Sequence, residues 1–550
     1  MSLRARHRLL PLIPAALFLA FGLSTLSDYA MTWDEAESWN AAASNLEMLR
    51  GTGVPWEATH VIPGYYFALD TLRALFLEGV AVVVSASDPS DQILAHHAFN
   101  LLLASASLAL LSALVLQISG RPRMALYAGC SLALMPPFIG HALNNPKDLP
   151  ALFVFLLATS CVVRLVAVES GDSNTRAWRW WAAAALSLGL ALTTRVLSAS
   201  LLPILGGWIL WRRRTAFAAL PLHWIGLAVA SGATAVALWP WLWDAPIAKI
   251  GDVLNRISIH ELVDFQIVYL GELVSWREMP WHYRPVHFLV ALPLVHLGLA
   301  ALSAGAAFRW RADRDSRFDV IALAMAWLGV LALVDQVAPY RYDGIRHFLP
   351  ALPAIAMLVA AGSEWLSDLL SQRFSDLPSP LGRALLAGAP VGLCAVVVAA
   401  QIAWTHPYQS AYMNAAANAI AGPHSEEWIE VEYWGQAYAE GGRWINANTE
   451  PDALVYLPVG EKVAGYYTRR RRGAWKHFDA QFGSSERPQY VMFITRQGFY
   501  DAKLRRLEAE YEPVYTIEVQ NATLLKIYSN RQALGDRRGE RAGRVEPTHG

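Results

Sequence analysis

The sequence predicts an α-helical polytopic membrane protein carrying a small C-terminal α/β domain. Two patterns predict it: long apolar blocks between short charged loops as far as residue 404, then short helical and strand-like stretches alternating from 405 to 530. Composition agrees, with 55% hydrophobic and only 16% charged residues, where a soluble domain carries about a quarter charged. Each block is close to the ~20 residues that a bilayer span needs. Many of the 22 tryptophans stand beside block ends, among them Trp178, Trp180, Trp181, Trp239, Trp241 and Trp243. Amphipathic rings favour the headgroup layer at such places. Formal net charge is zero, so no basic bias points to nucleic acid. Cys130, Cys161 and Cys394 lie inside apolar blocks, without the spacing of a disulfide framework or a zinc site.

Arg4, Arg6 and Arg8 precede the first block, about 9–27, which is too long and too poorly followed by a small-residue cleavage site for a removed signal. Further spans are expected near 93–118, 123–141, 149–168, 179–194, 196–211, 217–239, 286–307, 318–338, 346–362 and 384–404. Arginines fall in alternate loops: Arg121 and Arg123, Arg176 and Arg179, Arg212 to Arg214, Arg309 to Arg317, then Arg373 and Arg383. By the positive-inside rule those loops and the N-terminus are cytoplasmic, and about eleven spans leave the segment from Thr405 onward outside. Residues 179–211 are too long for one ordinary helix and short for two. The charge pattern favours two short helices with Thr193, Thr194 and Arg195 at their outer tip; a single tilted span would reverse everything after it.

Three outer regions are large. Segments 28–92 and 244–285 read as amphipathic and interfacial rather than spanning. The third, 405–530, reads as helix (433–448), strand (453–458), strand (489–495), helix (500–510) and a hairpin-like pair (514–519, 523–528). Residues 531–550 lack apolar periodicity and are expected to be disordered. The organisation is therefore a membrane domain at 1–404, an extracytoplasmic α/β domain at 405–530 and a tail. No internal repeat of the kind that marks many transporters is visible.

Candidate chemistry lies in the outer loops. Asp34 and Glu35 stand between Trp33 and Trp39 soon after the first span. A carboxylate there suits the general-base task of taking a proton from a hydroxyl. Thr32 and Glu35 also spell a capping box, T-x-x-E, and both readings can hold. In GHALNNPKDLP (140–150), Asn144, Asn145 and Pro146 specify a turn, and Asp148 caps a helix or faces a cation, a metal or a sugar hydroxyl. Lys147 is left over by that account: only it and Lys249 are lysines before residue 405, and it suits an anionic headgroup. In VAPYRYDGIRHFLP (337–350), Arg341, Arg346 and His347 cluster where a lipid phosphate would sit, with hydroxyls from Tyr340 and Tyr342. Arginine suits bidentate phosphate contacts, although snorkelling at a span end would also place cations there. Arg195 can join this group. His282 and Tyr283 in MPWHYRP either anchor at the interface or line the cavity.

The order of these motifs resembles the GT-C glycosyltransferases, and within them the protein O-mannosyltransferase and aminoarabinose (lipid A) transferase family, or glycosyltransferase family 39. Matching stretches are WDE (33–35), HHAFN (96–100), FIGHALNNPKDLP (138–150), MPWHYRP (279–285), YDGIRHFLP (342–350), HPYQSAYMN and EYWGQAYAEGGRWINAN. The resemblance implies a GT-C-like fold and an inverting transfer of sugar from a polyprenyl-phosphate donor to a hydroxyl acceptor outside the inner membrane. It puts Asp34 in the place of the residue that activates the acceptor, with Glu35 its partner. Lys147 and Asp148 take the place of the group near donor phosphate and sugar, and Arg341, Arg346 and His347 that of the polyprenyl-phosphate site. Many relatives begin the second span with an arginine; this chain has His96 and His97 there, which leaves that headgroup contact open. Some GT-C enzymes use a divalent metal, but no compact ligand set stands out in this sequence. A lipid-linked sugar flippase and an inactive lipid-binding relative remain the rival readings. The sugar, and whether the acceptor is protein, lipid or polysaccharide, stay open.

The topology yields the first prediction. An alkaline phosphatase fusion after Tyr412 is expected to be active; activity of a cytoplasmic reporter at that point would refute the two-helix reading of 179–211.

Overall fold

The computed structural model describes residues 9–52, 67–84, 89–169, 174–212, 222–259, 264–337, 341–375, 379–478, 482 and 487–530. The expected disordered tail and Tyr340 lie outside the described residues. Within the described residues every expected span overlaps a helix or a helix pair, the expected 346–362 being displaced to Ala351–Arg373. Among the described residues, five helices are long and apolar enough to cross a membrane by length and composition alone: Asp91–Ser119, Asp148–Val168, Arg317–Val337, Ala351–Arg373 and Gly388–Thr405. Leu12–Thr25, Val196–Arg212 and Trp224–Ala237 are shorter apolar helices.

Three stretches depart from a simple run of straight spans, each for a local reason. The 123–141 block is two helices, Pro122–Ala133 and Pro136–Ala142, with Met135 extended between them. A residue before proline is pushed out of the α region, and Pro136 itself opens the second helix. The 286–307 block is a pair, Tyr283–Ala291 and Leu294–Ala312, bent by 113° where Pro293 interrupts the ladder. Residues 179–211 form two helices, Asn174–Leu192 and Leu201–Arg212, with Thr193 to Arg195 and a 3-10 turn between them.

Helix Ala351–Arg373 is buried along nearly all of its first half, and its small residues explain why. Ala354, Ala360, Ala361, Gly362 and Ser363 are all buried, letting neighbouring backbones approach closely in a setting where packing, not hydrophobic expulsion, joins helices. A Cβ on Gly362 would fall 1.8 Å from the Leu299 carbonyl oxygen.

The C-terminal region is a five-stranded sheet of order β4-β3-β5-β7-β6, with β3 Leu454–Tyr456, β4 Arg471–Gly473, β5 Gln489–Ile494, β6 Tyr515–Val519 and β7 Ala522–Ser529. Strand β3 runs parallel to β4 and β5, while β7 is antiparallel to β5 and β6. Helices Tyr438–Asn448, Glu461–Tyr467 and Ala502–Glu510 complete it; the last is capped by Asp501, whose Oδ1 accepts from Leu504 N at 2.9 Å. Earlier in the chain, β1 (Gln266–Tyr269) and β2 (Glu272–Ser275) form a hairpin turned by Leu270 and Gly271, both at positive φ. It bridges to Ile429, and its Val268 carbonyl accepts from Glu430 N at 3.0 Å. Met31, Ile93, Tyr269 and Tyr283 share one core with the sheet residues Val455, Phe493 and Leu525. The sheet therefore packs onto the loops that leave the helix bundle.

Gly362→Leu is expected to force the Leu294–Ala312 helix away and to cost ~3 kcal/mol or more of stability, at or above the range for overpacked cores. Thermal unfolding of the detergent-solubilised variant measures it; an unchanged midpoint would contradict the close approach.

Candidate functional site

The site begins with a loop pinned on every side. Thr32 is fully buried; its N–H donates to Glu35 Oε2 at 2.6 Å and its hydroxyl to the Asn144 carbonyl at 2.8 Å. Glu35 Oε1 lies 3.0 Å from His97 Nε2, with both side chains 0% exposed. Glu35 thus returns to the Thr32 N–H, one half of the capping-box pattern, behind the surface rather than on it. The other half is missing, since the Thr32 hydroxyl is spent on Asn144 and the helix starts at Glu35. Met31 N donates to the Tyr467 hydroxyl at 2.7 Å, Trp33 N to the Trp434 carbonyl at 2.9 Å, and Asn144 Nδ2 to the Ala30 carbonyl at 3.3 Å. With its neighbours held, Asp34 ends the loop at the start of helix Glu35–Leu49 and makes no cap bond with its side chain.

The Asn144–Asp148 turn supplies the facing groups. Asn145 Oδ1 accepts from Lys147 N at 3.2 Å and from Asp148 N at 2.8 Å, an Asx turn of the kind its sequence specifies. Arg73 Nη2 donates to the Pro146 carbonyl at 2.7 Å, and Nη1 pairs with Asp70 at 3.0 Å. This brings Lys147 Nζ to 3.4 Å from Asp34 Oδ1 and 3.0 Å from Glu37 Oε2. Asp148 Oδ2 accepts from Asn145 Nδ2 at 3.1 Å, while its Oδ1 accepts from Arg195.

The third arm comes from residues 341–350. Asp343 and Gly344 both have positive φ, 53° and 56°, a conformation that aspartate tolerates and glycine favours. Their turn lets Asp343 Oδ2 meet Arg346 Nη2 at 2.6 Å while Arg346 Nη1 reaches Asp34 Oδ2 at 2.5 Å. The Arg346 guanidinium also lies 4.7 Å from the centre of a Trp434 ring. The His347 and Tyr342 rings meet edge-on at 4.7 Å beside it.

Asp34, Lys147, Asp148, Arg195 and Arg346 are therefore brought together from four separate stretches of chain. Burial pushes the Asp34 carboxyl up, but Lys147, Arg346 and Arg195 together outweigh it and hold Asp34 well below the usual carboxylate range. Tyr342 and His347 flank this group. The other expected residues are engaged elsewhere. Arg341 binds the Asp335 carboxylate and carbonyl and the Met279 carbonyl. His282 Nδ1 is 2.6 Å from the Tyr269 hydroxyl. Tyr283 is fully buried, with its hydroxyl accepting from Gly344 N at 3.0 Å. Tyr283 and Arg341 fix the turn that carries Arg346, whereas His282 is bonded to the β1–β2 hairpin.

Sequence reasoning passed over several participants. Asp343, Trp434 and His97 stood inside quoted motifs without a role. Arg284 likewise stood inside MPWHYRP without a role. Glu37 and Arg496 carried no signal, because their partners are remote in sequence, and Arg73 showed only its local pairing with Asp70, not its contact with Pro146. Arg284 donates to the Gly344 carbonyl and lies 3.3 Å from His347 Nδ1. Among the described residues no group of three or more His, Cys, Asp or Glu side chains is placed to hold a metal ion. Asp34 and Asp148 face cations instead.

No family model and no curated protein sequence matches the chain. Two solved structures are similar to it over most of its length. ArnT from Cupriavidus metallidurans, bound to undecaprenyl phosphate, shares 15% identity at a TM-score of 0.47, covering 94% of this chain and 97% of that one. The Archaeoglobus fulgidus oligosaccharyltransferase, in complex with zinc and sulfate, shares 12% identity at a TM-score of 0.47, covering 93% of this chain and 73% of that one.

Proposed function

We propose that the chain is an inverting glycosyltransferase, moving a sugar from a polyprenyl-phosphate donor to a hydroxyl acceptor at the outer face of the inner membrane. One observation carries this reading: a carboxylate at the foot of a helix, held between an arginine and a lysine, with a second arginine–aspartate pair beside it. The leaving group is already a phosphate, so the protein has to stabilise its growing charge and orient the acceptor. Arg346 and Lys147 serve the phosphate, and preorganised cations in a partly dehydrated site do this well. Arg195 and Asp148 border the sugar. The acceptor oxygen attacks the anomeric carbon, the carbon–oxygen bond to phosphate breaks, and the acceptor proton passes to Asp34. One in-line displacement inverts the anomeric configuration without a covalent enzyme intermediate.

Paired to two cations, Asp34 is a weak base. An incoming phosphate competes for Lys147 and Arg346, and the negative charge it brings raises the affinity of Asp34 for a proton. Donor binding thus prepares the base. Release of free polyprenyl phosphate from donor in liposomes, dependent on acceptor, separates this enzyme from a flippase or a binding-only relative.

Asp34→Asn keeps the shape of the side chain and cannot take up a proton at neutral pH. Transfer is expected to fall about 10²-fold or more while donor binding persists; near-normal transfer would remove the base. Glu35→Gln, by contrast, is expected to cost stability, because Glu35 holds Thr32 and His97, and to preserve activity per folded molecule.

Lys147→Ala tests the phosphate contact. Its loss leaves Asp34 still paired with Arg346 and Glu37 exposed at 55%, so no buried charge is stranded. Donor affinity is expected to fall by ~1.5–3 kcal/mol, the worth of a hydrogen bond to a charged group. Arg346→Ala is a poorer probe, since it takes one of two cationic partners from each of Asp34 and Asp343 in an enclosed place and destabilises the fold as well. Unchanged donor affinity and turnover in Lys147→Ala would refute the assignment of Lys147.

A further inference from the structure

Arg496 follows β5 in the sheet region, yet it is 5% exposed and grips the same carboxylate as Arg346. Its Nη2 donates to Asp343 Oδ1, while Asp343 Oδ2 meets Arg346 Nη2 at 2.6 Å. Arg496 Nε lies 3.3 Å from Glu430 Oε1, and Nη1 donates to the Tyr433 carbonyl at 3.4 Å. Its guanidinium is clamped by rings, 4.7 Å from the centre of Phe499 and 5.6 Å from that of Trp33. Asp34, Arg346, Asp343, Arg496 and Glu430 thus alternate in sign along one largely buried chain, from the candidate base into the sheet.

We infer that Arg496 is a positioning residue for the transfer reaction: by neutralising Asp343 from behind, it keeps one edge of Arg346 turned toward Asp34 and the donor phosphate. Arg346 stands between two carboxylates and divides its attraction between them. With Arg496 in place, Asp343 is already matched, and its pull on Arg346 is weakened. Without it, Asp343 draws the Arg346 guanidinium inward, an effect made strong by the low dielectric of a buried site. The pairing also explains why the sheet region meets the bundle here. It contributes a charge to the site as well as a cover.

The catalytic part of this role rests on the proposed function; the geometric part does not. The test compares purified full-length Arg496→Met with the double variant Asp343→Asn/Arg496→Met, using a polyprenyl-phosphate sugar in liposomes. The single variant is expected to lose about tenfold in kcat, within the range of coupled buried charges. The double variant is expected to recover most of that loss, because the carboxylate that competes for Arg346 is gone, while Glu430, the other partner of Arg496, is left alike in both variants. A merely structural Arg496 predicts no such rescue, and a double variant as slow as the single one overturns the proposal. If Arg496→Met does not fold, the double variant decides: it must fold and transfer, and an unfolded or inactive double variant overturns the proposal. An experimental structure of a folded single or double variant gives a reading independent of activity. In Arg496→Met, Arg346 should have left Asp34, and in the double variant it should remain there; the reverse in either overturns the proposal. A parent protein that releases no polyprenyl phosphate removes the proposed function alone, and the Arg346–Asp34 distance then judges the positioning role.

Discussion

The contact between Asp34 and Arg346, closed on its other side by Lys147, is the constraint around which the rest is arranged. Charges this enclosed are costly unless they are paired and hydrogen-bonded with good geometry. Each arm is accordingly braced from behind. Thr32, Glu35 and His97 hold the loop of Asp34; Asn145 and Arg73 hold the turn of Lys147; Arg284, Tyr283 and Arg341 hold the turn of Arg346. The bracing residues are polar and buried because the arms are loops, whose backbone groups need partners that no helix or strand supplies.

The two ends of the helix bundle use charge differently. At the end away from Asp34, Arg123 pairs with Glu364 and Asp368, Arg317 with Asp315 and Asp368, and Arg212 with Asp319. Those arginines come from the loops that the positive-inside rule calls cytoplasmic, and they tie neighbouring helices together. At the Asp34 end cations and carboxylates converge on one place, and Lys147 and Arg195 keep part of their side chains accessible at 21% and 20%.

What could be read in the sequence depends on the range of each interaction. The T-x-x-E pattern and the Asn-Asn-Pro turn are specified by residues within four positions of one another, and two of the three arms of the site were marked by such a signal; the Asp343–Gly344 turn of the third went unread. The strands β3, β5, β6 and β7 were legible for the same reason, through short runs of alternating or branched residues. Strand β4, in the arginine-rich Arg471–Gly473, has no apolar alternation, and the Glu461–Tyr467 helix is too short to show a period. The hairpin at Gln266–Ser275 turns on Leu270 and Gly271 rather than on an asparagine–glycine pair, so it read only as amphipathic. Hydropathy also missed the breaks at Pro136 and Pro293, since proline interrupts a helix without interrupting an apolar block. Arg496 was invisible because Asp343 lies 153 residues away. Arg73 was invisible because its Pro146 contact lies 73 residues away, and its local pairing with Asp70 looks like that of a surface arginine.

The same ion pair sets an order of events on the proposed reading. Before donor arrives, Asp34 is held by cations and gains little from taking a proton, so a stray water or acceptor hydroxyl meets a poor base. Phosphate binding supplies the competing anion, and only then does the carboxylate become basic enough for the transfer. The cations that stabilise the leaving phosphate are thus the ones that keep the base quiet in its absence. Such a device requires that Arg346 and Lys147 serve either anion with little movement. That is what rigid turns on both arms provide, and it is a physical reason for so much buried bracing around so few reactive groups.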